Sequence, residues 1–356
     1  MARVSAAAAP TLARAYAGPA VILLGLATAA SLAALAELTL GPVAIPVEAV
    51  LDVLAGQGDP VHQAILIQIR LPRVLTGIAV GAALALGGAV LQGLLRNPLA
   101  DPGLIGVTGG ASLGAVGVIV LGDLLLGGIA DPLRPFILPL AAFLGAAAVT
   151  GFVFMLSRHG GAISVGTLIL AGVAITAIAE AGIGALIFLS DDQQLRDLTF
   201  WLRGALGGAN WTLVTVVCLV ASAAAAGLLG LARALDLFQL GERAAFHAGL
   251  NVEGAKLRAG LLTALGVGVA TAAAGPIGFI GLVAPHLARL LVGAAHRWVL
   301  PASALLGIIL VLLADLAVRL AVPPAEPPIG LATSLIGGPF FLWLLLRRLK
   351  GRGGLA

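Results

Sequence analysis

Glu180 is the residue whose chemistry most needs explaining, because it stands in the middle of the apolar run AITAIAEAGIGALIF. An ionised carboxylate is costly inside a bilayer, so such a residue faces a cavity or a partner, or stays protonated and hydrogen-bonded. Asp315 and Arg319 are the other charges inside an apolar run, and a separation of four lets them pair along one helix face. His286 and His296 flank the stretch HLARLLVGAAH. Two readings stay open for them, a polar contact at a helix end or transient ligation of a haem. Cys218 is the single cysteine, so no internal disulfide forms, and it reads as a small apolar residue. The phosphate-loop pattern G-x-x-x-x-G-K-[ST] is absent, as are H-E-x-x-H and G-x-S-x-G. The chain is therefore not expected to hydrolyse ATP or to be an enzyme of those classes. Glycine patterns such as GVGVATAAAG lack the strand a nucleotide fingerprint requires and read as packing glycines.

These groups must be held by elements that live in a membrane. Of 356 residues, 60% are hydrophobic and 10% charged, against about 25% charged in soluble domains. The mean hydropathy is +1.11 and the net charge +4. The scattered arginines fit the positive-inside tendency better than nucleic-acid binding, and no nucleic-acid partner is expected. Apolar runs bounded by charges or Pro/Gly clusters predict ten transmembrane helices, at 19–37, 73–95, 103–122, 136–156, 165–189, 211–232, 258–274, 277–294, 299–321 and 329–347. The fold class expected is an all-α membrane protein forming one polytopic domain over 1–356. The first run follows Arg3 and Arg14 and reads as an uncleaved span. Ten spans place both termini on one side. Taking that side as cytoplasmic puts fourteen of the 20 Lys/Arg residues there, as the charge rule favours.

Between the second and third runs lies LQGLLRNPLADPGLIGVTGGASLGAV. Arg96 suits a helix C-terminus and Pro98 forbids continuation. Asp101 is placed to cap the next helix, with Pro102 at its first position, so a tight hairpin is expected. Gly103, Gly106, Gly110, Gly114 and Gly117 then recur at helical spacing and predict one stripe for close helix packing. The longest polar stretch is DLFQLGERAAFHAGLNVEGAKLRAG, from Asp236 to Gly260. Gly241 and Gly249 divide it into two short helices, which form either a solvated loop or a platform for a partner.

That hairpin, together with RLPR (70–73), GPIGFIGLVAPHLARLL (275–291), LADLAVR (313–319) and PPIGLATSLIGGPFFLWLL (327–345), resembles the FecCD-type permeases. These are the membrane subunits of bacterial ABC importers for iron-siderophores, haem and cobalamin. The resemblance covers nearly the whole chain. It implies about ten helices per protomer, with helices 2–5 and 7–10 as an inverted repeat, and a homodimer with its path at the interface. It also implies two cytoplasmic ATPase subunits, which carry the ATP and Mg, and a periplasmic substrate-binding protein. This chain would hold no cofactor and would sit in the bacterial inner membrane.

The resemblance also distributes roles. Arg70, Arg73 and Arg319 would receive acidic residues of the binding protein, arginine being suited to forked carboxylate contacts. Asn97 and Leu99, in NPLA, would line a cytoplasmic gate. Segment 236–257 would form paired coupling helices, with Glu242, Arg243, Glu253 and Lys256 facing the ATPase. TFWLRGAL (199–206) would be a short periplasmic gating helix. Glu180, His286 and His296 are the candidates for a substrate path, and PHLARLLVGAAHRW is similar to the haem permeases, which makes haem the expected substrate. An iron-siderophore or cobalamin permease of the same family is the alternative. From residues alone a proton-coupled secondary transporter working through Glu180 also stays open.

Overall fold

The computed structural model describes residues 18–126, 134–159, 162–323 and 325–352. Arg3 and Arg14 lie outside the described residues. The helices are α1 (Pro19–Thr39), α2 (Val47–Leu54), α3 (Pro60–Ala64), α4 (Leu71–Leu94), α5 (Val107–Leu126), α6 (Arg134–Ser157), α7 (Val165–Leu189), α8 (Asp192–Trp201), α9 (Trp211–Leu229), α10 (Ala232–Gln239), α11 (Glu242–His247), α12 (Val252–Ala274), α13 (Ile280–Val292), α14 (His296–Ala321) and α15 (Ile329–Arg352). The one β pairing among the described residues joins Arg158–His159 to Ala162–Ile163. Each of the ten apolar runs carries a helix. Among the described residues seven helices are long and apolar enough to cross a membrane, and shorter apolar stretches occupy 107–122, 280–292 and 329–343.

The second span is longer than its apolar run suggested. Helix begins at Pro60, where the Asp59 carboxylate accepts from the amides of Val61 and His62 at 3.0 and 3.3 Å, and a π-helical turn over Ile65–Arg70 joins α3 to α4. The donor that this turn would give the Ile67 carbonyl is Pro72, which has no N–H, and Trp211 Nε1 donates to that carbonyl at 2.9 Å. Within α4, nearly every residue from Pro72 to Leu94 is buried. It is the hub on which α9, α12, α13 and α14 pack.

Small residues set these contacts, because lipid gives helices no hydrophobic reason to associate and close backbone approach must do so. A Cβ at Gly88 would come within 1.9 Å of the Gly281 carbonyl, and one at Gly81 within 2.5 Å of that of Gly307. The stripe predicted from Gly103 to Gly117 is shorter than expected. Gly106, at φ +80°, ends a 3-10 turn over Pro102–Ile105, so Gly103 and Gly106 precede α5. Gly110 and Gly114 press on the Gly145 and Ala141 carbonyls of α6, whereas Gly117 meets open space. The Asp101 cap is as the sequence indicated, accepting from the Gly103 amide at 2.8 Å. The hairpin does not stop at the helix end, however. A side chain at Gly87 would meet the Pro102 ring at 3.5 Å, and Gly87 sits about two turns before the end of α4. The 95–106 segment therefore folds back alongside the bundle and brings Asp101 next to Gly281.

The packing repeats itself. Exchanging α4, α5, α6 and α7 with α12, α13, α14 and α15 maps α5–α6 onto α13–α14, α4–α14 onto α12–α6, α4–α13 onto α12–α5, and α6–α7 onto α14–α15, all of which are in contact. Corresponding helices are five spans apart, so they run in opposite directions, and the repeat is inverted. One expected element is displaced. The short helix after span five covers Asp192–Trp201, set by a capping box between Asp191 and Gln194, and only the first three residues of TFWLRGAL are helical. The remainder is a strap whose Arg203 and Gly204 carbonyls accept from Gly330 and Ile329 at 3.0 and 2.9 Å, while the Ala205 amide donates to Ala274 O at 2.8 Å.

Candidate functional site

At the end of the bundle where α4 begins, three arginines meet three carboxylates. Arg73 Nε and Nη2 hold both oxygens of Asp315 at 2.7 and 2.9 Å, and its Nη1 reaches Glu326 Oε2 at 2.8 Å. Arg319 Nε lies 3.3 Å from Asp315 Oδ2, and its Nη2 pairs with Glu37 of α1. Arg70 donates from Nη1 to the Leu38 carbonyl at 2.6 Å and from Nη2 to that of Val43. The three arginines, Asp315 and Glu37 are all buried. Glu326 is the exception, its side chain 49% exposed. The arginines expected to stand free for a partner are thus engaged inside the chain, where they tie α1, α4 and α14 together. The Asp315–Arg319 pair read from the sequence exists, but it is the weaker half of a network centred on Arg73.

Between the ends, a cavity of about 700 Å³ runs along α5 and α7, lined by Glu180, Asp101, Thr108, Ser112 and Thr176 among others. Glu180 is exposed towards it, and the buried Thr176 hydroxyl has no partner among the described residues. Neither histidine lines this cavity. His286 packs its ring edge-on to Phe340 at 5.8 Å. His296 is 2% exposed, with Nδ1 2.7 Å and its backbone amide 2.9 Å from Asp236 Oδ1. A substrate-path role needs an accessible ring, so His296 is corrected to an anchor. The Asp236 carboxylate of α10 holds the first turn of α14, where the helix dipole favours an anion.

The opposite end carries the hairpin and the short helices. Asn97 Oδ1 accepts from the Leu99 amide at 2.9 Å, closing a local turn, and Leu99 projects outward at 49% exposure. Lys256 is 3% exposed. Its Nζ donates to Glu242 Oε2 and the Ile163 carbonyl, each at 2.8 Å, and to Glu253 Oε1 at 3.1 Å. Glu253 Oε2 accepts from the Ile163 amide at 2.6 Å. Of the four residues expected to face a partner, three therefore moor α11 to α12 and to Ile163, leaving Arg243 exposed. The outward surface of this platform is apolar, with Leu240 71% and Phe246 67% exposed. Gln239 Nε2 donates to the Gly93 carbonyl at 3.0 Å. Next to it, Gln92 accepts from Arg289 at 2.5 Å and donates to Gly281 O at 3.1 Å. The platform is thus linked through the end of α4 to the backbone beside Asp101. Among the described residues no group of three or more His, Cys, Asp or Glu could hold a metal ion.

A model of the FecCD transport family matches residues 22–347. The chain is 48% identical over 300 residues to the hemin transport system permease protein HmuU of Yersinia pestis, covering 82% of this chain and 85% of that one. It is 38% identical to the Fe(3+) dicitrate permease protein FecD of Escherichia coli, covering 88% and 94% of the two chains. It is 40% identical to the vitamin B12 import permease protein BtuC of Klebsiella pneumoniae, covering 82% and 85%. A solved structure described as an inward-facing conformation of an ABC transporter of the metal-chelate type superposes with a TM-score of 0.81 at 34% identity, over 92% of this chain and 99% of that one.

Proposed function

We propose that this chain, which belongs to the FecCD transport family and is a multi-pass permease subunit of an ABC importer, moves haem. The observation that carries the reading is the 48% identity to a hemin permease, against 38% and 40% to the ferric-dicitrate and vitamin B12 permeases over similar lengths. Haem is cargo here, and the chain keeps no cofactor. Two copies form the path between them in the inner membrane, with both termini cytoplasmic. The cavity bearing Glu180 and Asp101 lies along that path, and Leu99 marks its cytoplasmic constriction.

Separate ATPase subunits supply the energy. They dock on α10–α11 through Leu240, Arg243 and Phe246, while Glu242, Glu253 and Lys256 hold that surface in shape. The binding protein docks at the opposite end. Because Arg73 and Arg319 are already paired, an incoming carboxylate reaches Arg73 by exchanging with Glu326, the one half-exposed acid of the cluster. Family membership displaces the proton-coupled secondary transporter, since the work is done by ATP on partner subunits.

The test is uptake into proteoliposomes holding the permease, its ATPase subunit and its binding protein. Haem should accumulate with internal ATP, and neither ferric dicitrate nor cobalamin should. Uptake of cobalamin or a ferric chelate without haem would overturn the cargo assignment. Uptake on a proton gradient without ATPase subunits would overturn the mechanism.

A further inference from the structure

Two cavities adjoin at the platform end of the bundle, one lined by a single arginine and the other by two. The larger, about 740 Å³, has Phe154, Met155 and Leu257 as its apolar wall and Arg158 at its rim. The smaller, about 450 Å³, is bordered by Arg233 and Arg258. They share Asn251 and Gly254 as a common ridge. Arg158, Arg233 and Arg258 are exposed, and none makes a side-chain hydrogen bond or ion pair among the described residues. The one carboxylate in the larger cavity, Glu253, is engaged by Lys256 and the Ile163 amide.

The position matters as much as the charge. Arg158 directly follows α6, Arg233 stands just beyond the end of α9, and Arg258 is in the second turn of α12. All three therefore lie at the level where spans leave the hydrocarbon. The wall of the larger cavity is apolar and opens outward, with Met155 63% and Leu257 38% exposed. A cationic rim above a greasy, outward-facing cleft complements an amphiphile whose head is anionic and whose tails lie in the bilayer. A soluble phosphate would use the rim and leave the wall bare. We infer that these cavities form one site for an anionic phospholipid, its phosphate held by Arg158, Arg233 and Arg258 and an acyl chain lying along Phe154, Met155 and Leu257. The site borders α10 and α12 and includes Ile163 and Glu253, both partners of Lys256, so a bound lipid would brace the platform beside the Lys256 contacts. Only the assignment of this leaflet as cytoplasmic rests on the proposed function; the lipid site itself does not.

The experiment uses the purified full-length permease without partner subunits. Native mass spectrometry would count retained lipid after exchange into detergent with cardiolipin, phosphatidylglycerol or phosphatidylcholine of equal chain length. The wild type should hold the anionic lipids and release phosphatidylcholine. Each Arg→Gln change at 158, 233 or 258 should weaken retention about fivefold, and the triple variant about 100-fold. The triple Arg→Lys variant should recover most of the loss, and Arg297→Gln, a cation at the same end, should change nothing. Glycerol phosphate at millimolar concentration should fail to displace the lipid. Equal retention by the triple Gln variant with a wild-type gel-filtration profile would overturn the site, as would equal binding of phosphatidylcholine or displacement by glycerol phosphate.

Discussion

The two ends of the bundle carry similar numbers of charged residues and use them in opposite ways. Where α4 begins, Arg70, Arg73 and Arg319 are buried and closed against Glu37, Asp315, Glu326 and backbone carbonyls. At the platform end Lys256 is buried while its acids stay part-exposed, Arg158, Arg233, Arg243 and Arg258 stand exposed, and so do Leu240 and Phe246. Charge by itself therefore does not mark a docking surface. A buried arginine held on several sides is a tie between helices, and the surface left for a partner is the one whose groups have nothing else to hold.

The comparison breaks most visibly at Asp315. Asp315→Asn leaves two buried guanidiniums short of their shared counter-charge, and removing one partner of a buried pair costs about 3–5 kcal/mol. Thermal unfolding in detergent should show a large fall in midpoint, and an unchanged midpoint would mean the cluster is not closed. Lys256→Met is smaller, since its acids are 43% and 37% exposed and can rehydrate. A loss of about 1–3 kcal/mol should appear together with faster proteolysis near 240–250, and protection equal to the wild type there would show that α11 is held by other contacts. Replacing both Leu240 and Phe246 with Asp should move stability by no more than about 0.5 kcal/mol yet abolish co-purification of the ATPase subunit. Retained co-purification would place the coupling surface elsewhere. The smallest effect on the fold belongs to Glu326→Gln, an exposed member worth at most about 1 kcal/mol. It should tighten binding-protein docking by freeing Arg73, and weaker docking would mean that Glu326 is itself a contact.

Local signals were legible in the sequence and cross-chain ones were not. The ten apolar runs, the Asp101–Pro102 cap and the i, i+4 pair of Asp315 with Arg319 are each written within a few residues, and the structure holds all of them. The partners that change their meaning lie far away. Arg73 and Asp315 are 242 residues apart, and Asp236 and His296 are 60 apart, so nothing near either residue announces the other. Lys256 is one charge among many in a polar segment, and its contact with the Ile163 carbonyl, 93 residues away, is not written near it. Leu240 and Phe246 do carry a signal, as large apolar side chains in an otherwise charged stretch. The strap at 203–205 works through its backbone carbonyls and amide, which side-chain types do not reveal.

The most direct measurement makes the same chemical change at both ends. Arg73→Glu and Arg243→Glu would be compared in one assay pair, the unfolding midpoint of the purified permease and its co-purification with the ATPase subunit. Arg73→Glu should lower the midpoint sharply and reduce yield, because it buries a third carboxylate against Asp315 and Glu326. Arg243→Glu should leave the midpoint where it was and weaken ATPase association. If Arg73→Glu folds with the wild-type midpoint, or if Arg243→Glu unfolds the protein as readily, the contrast between a closed end and an open one is wrong.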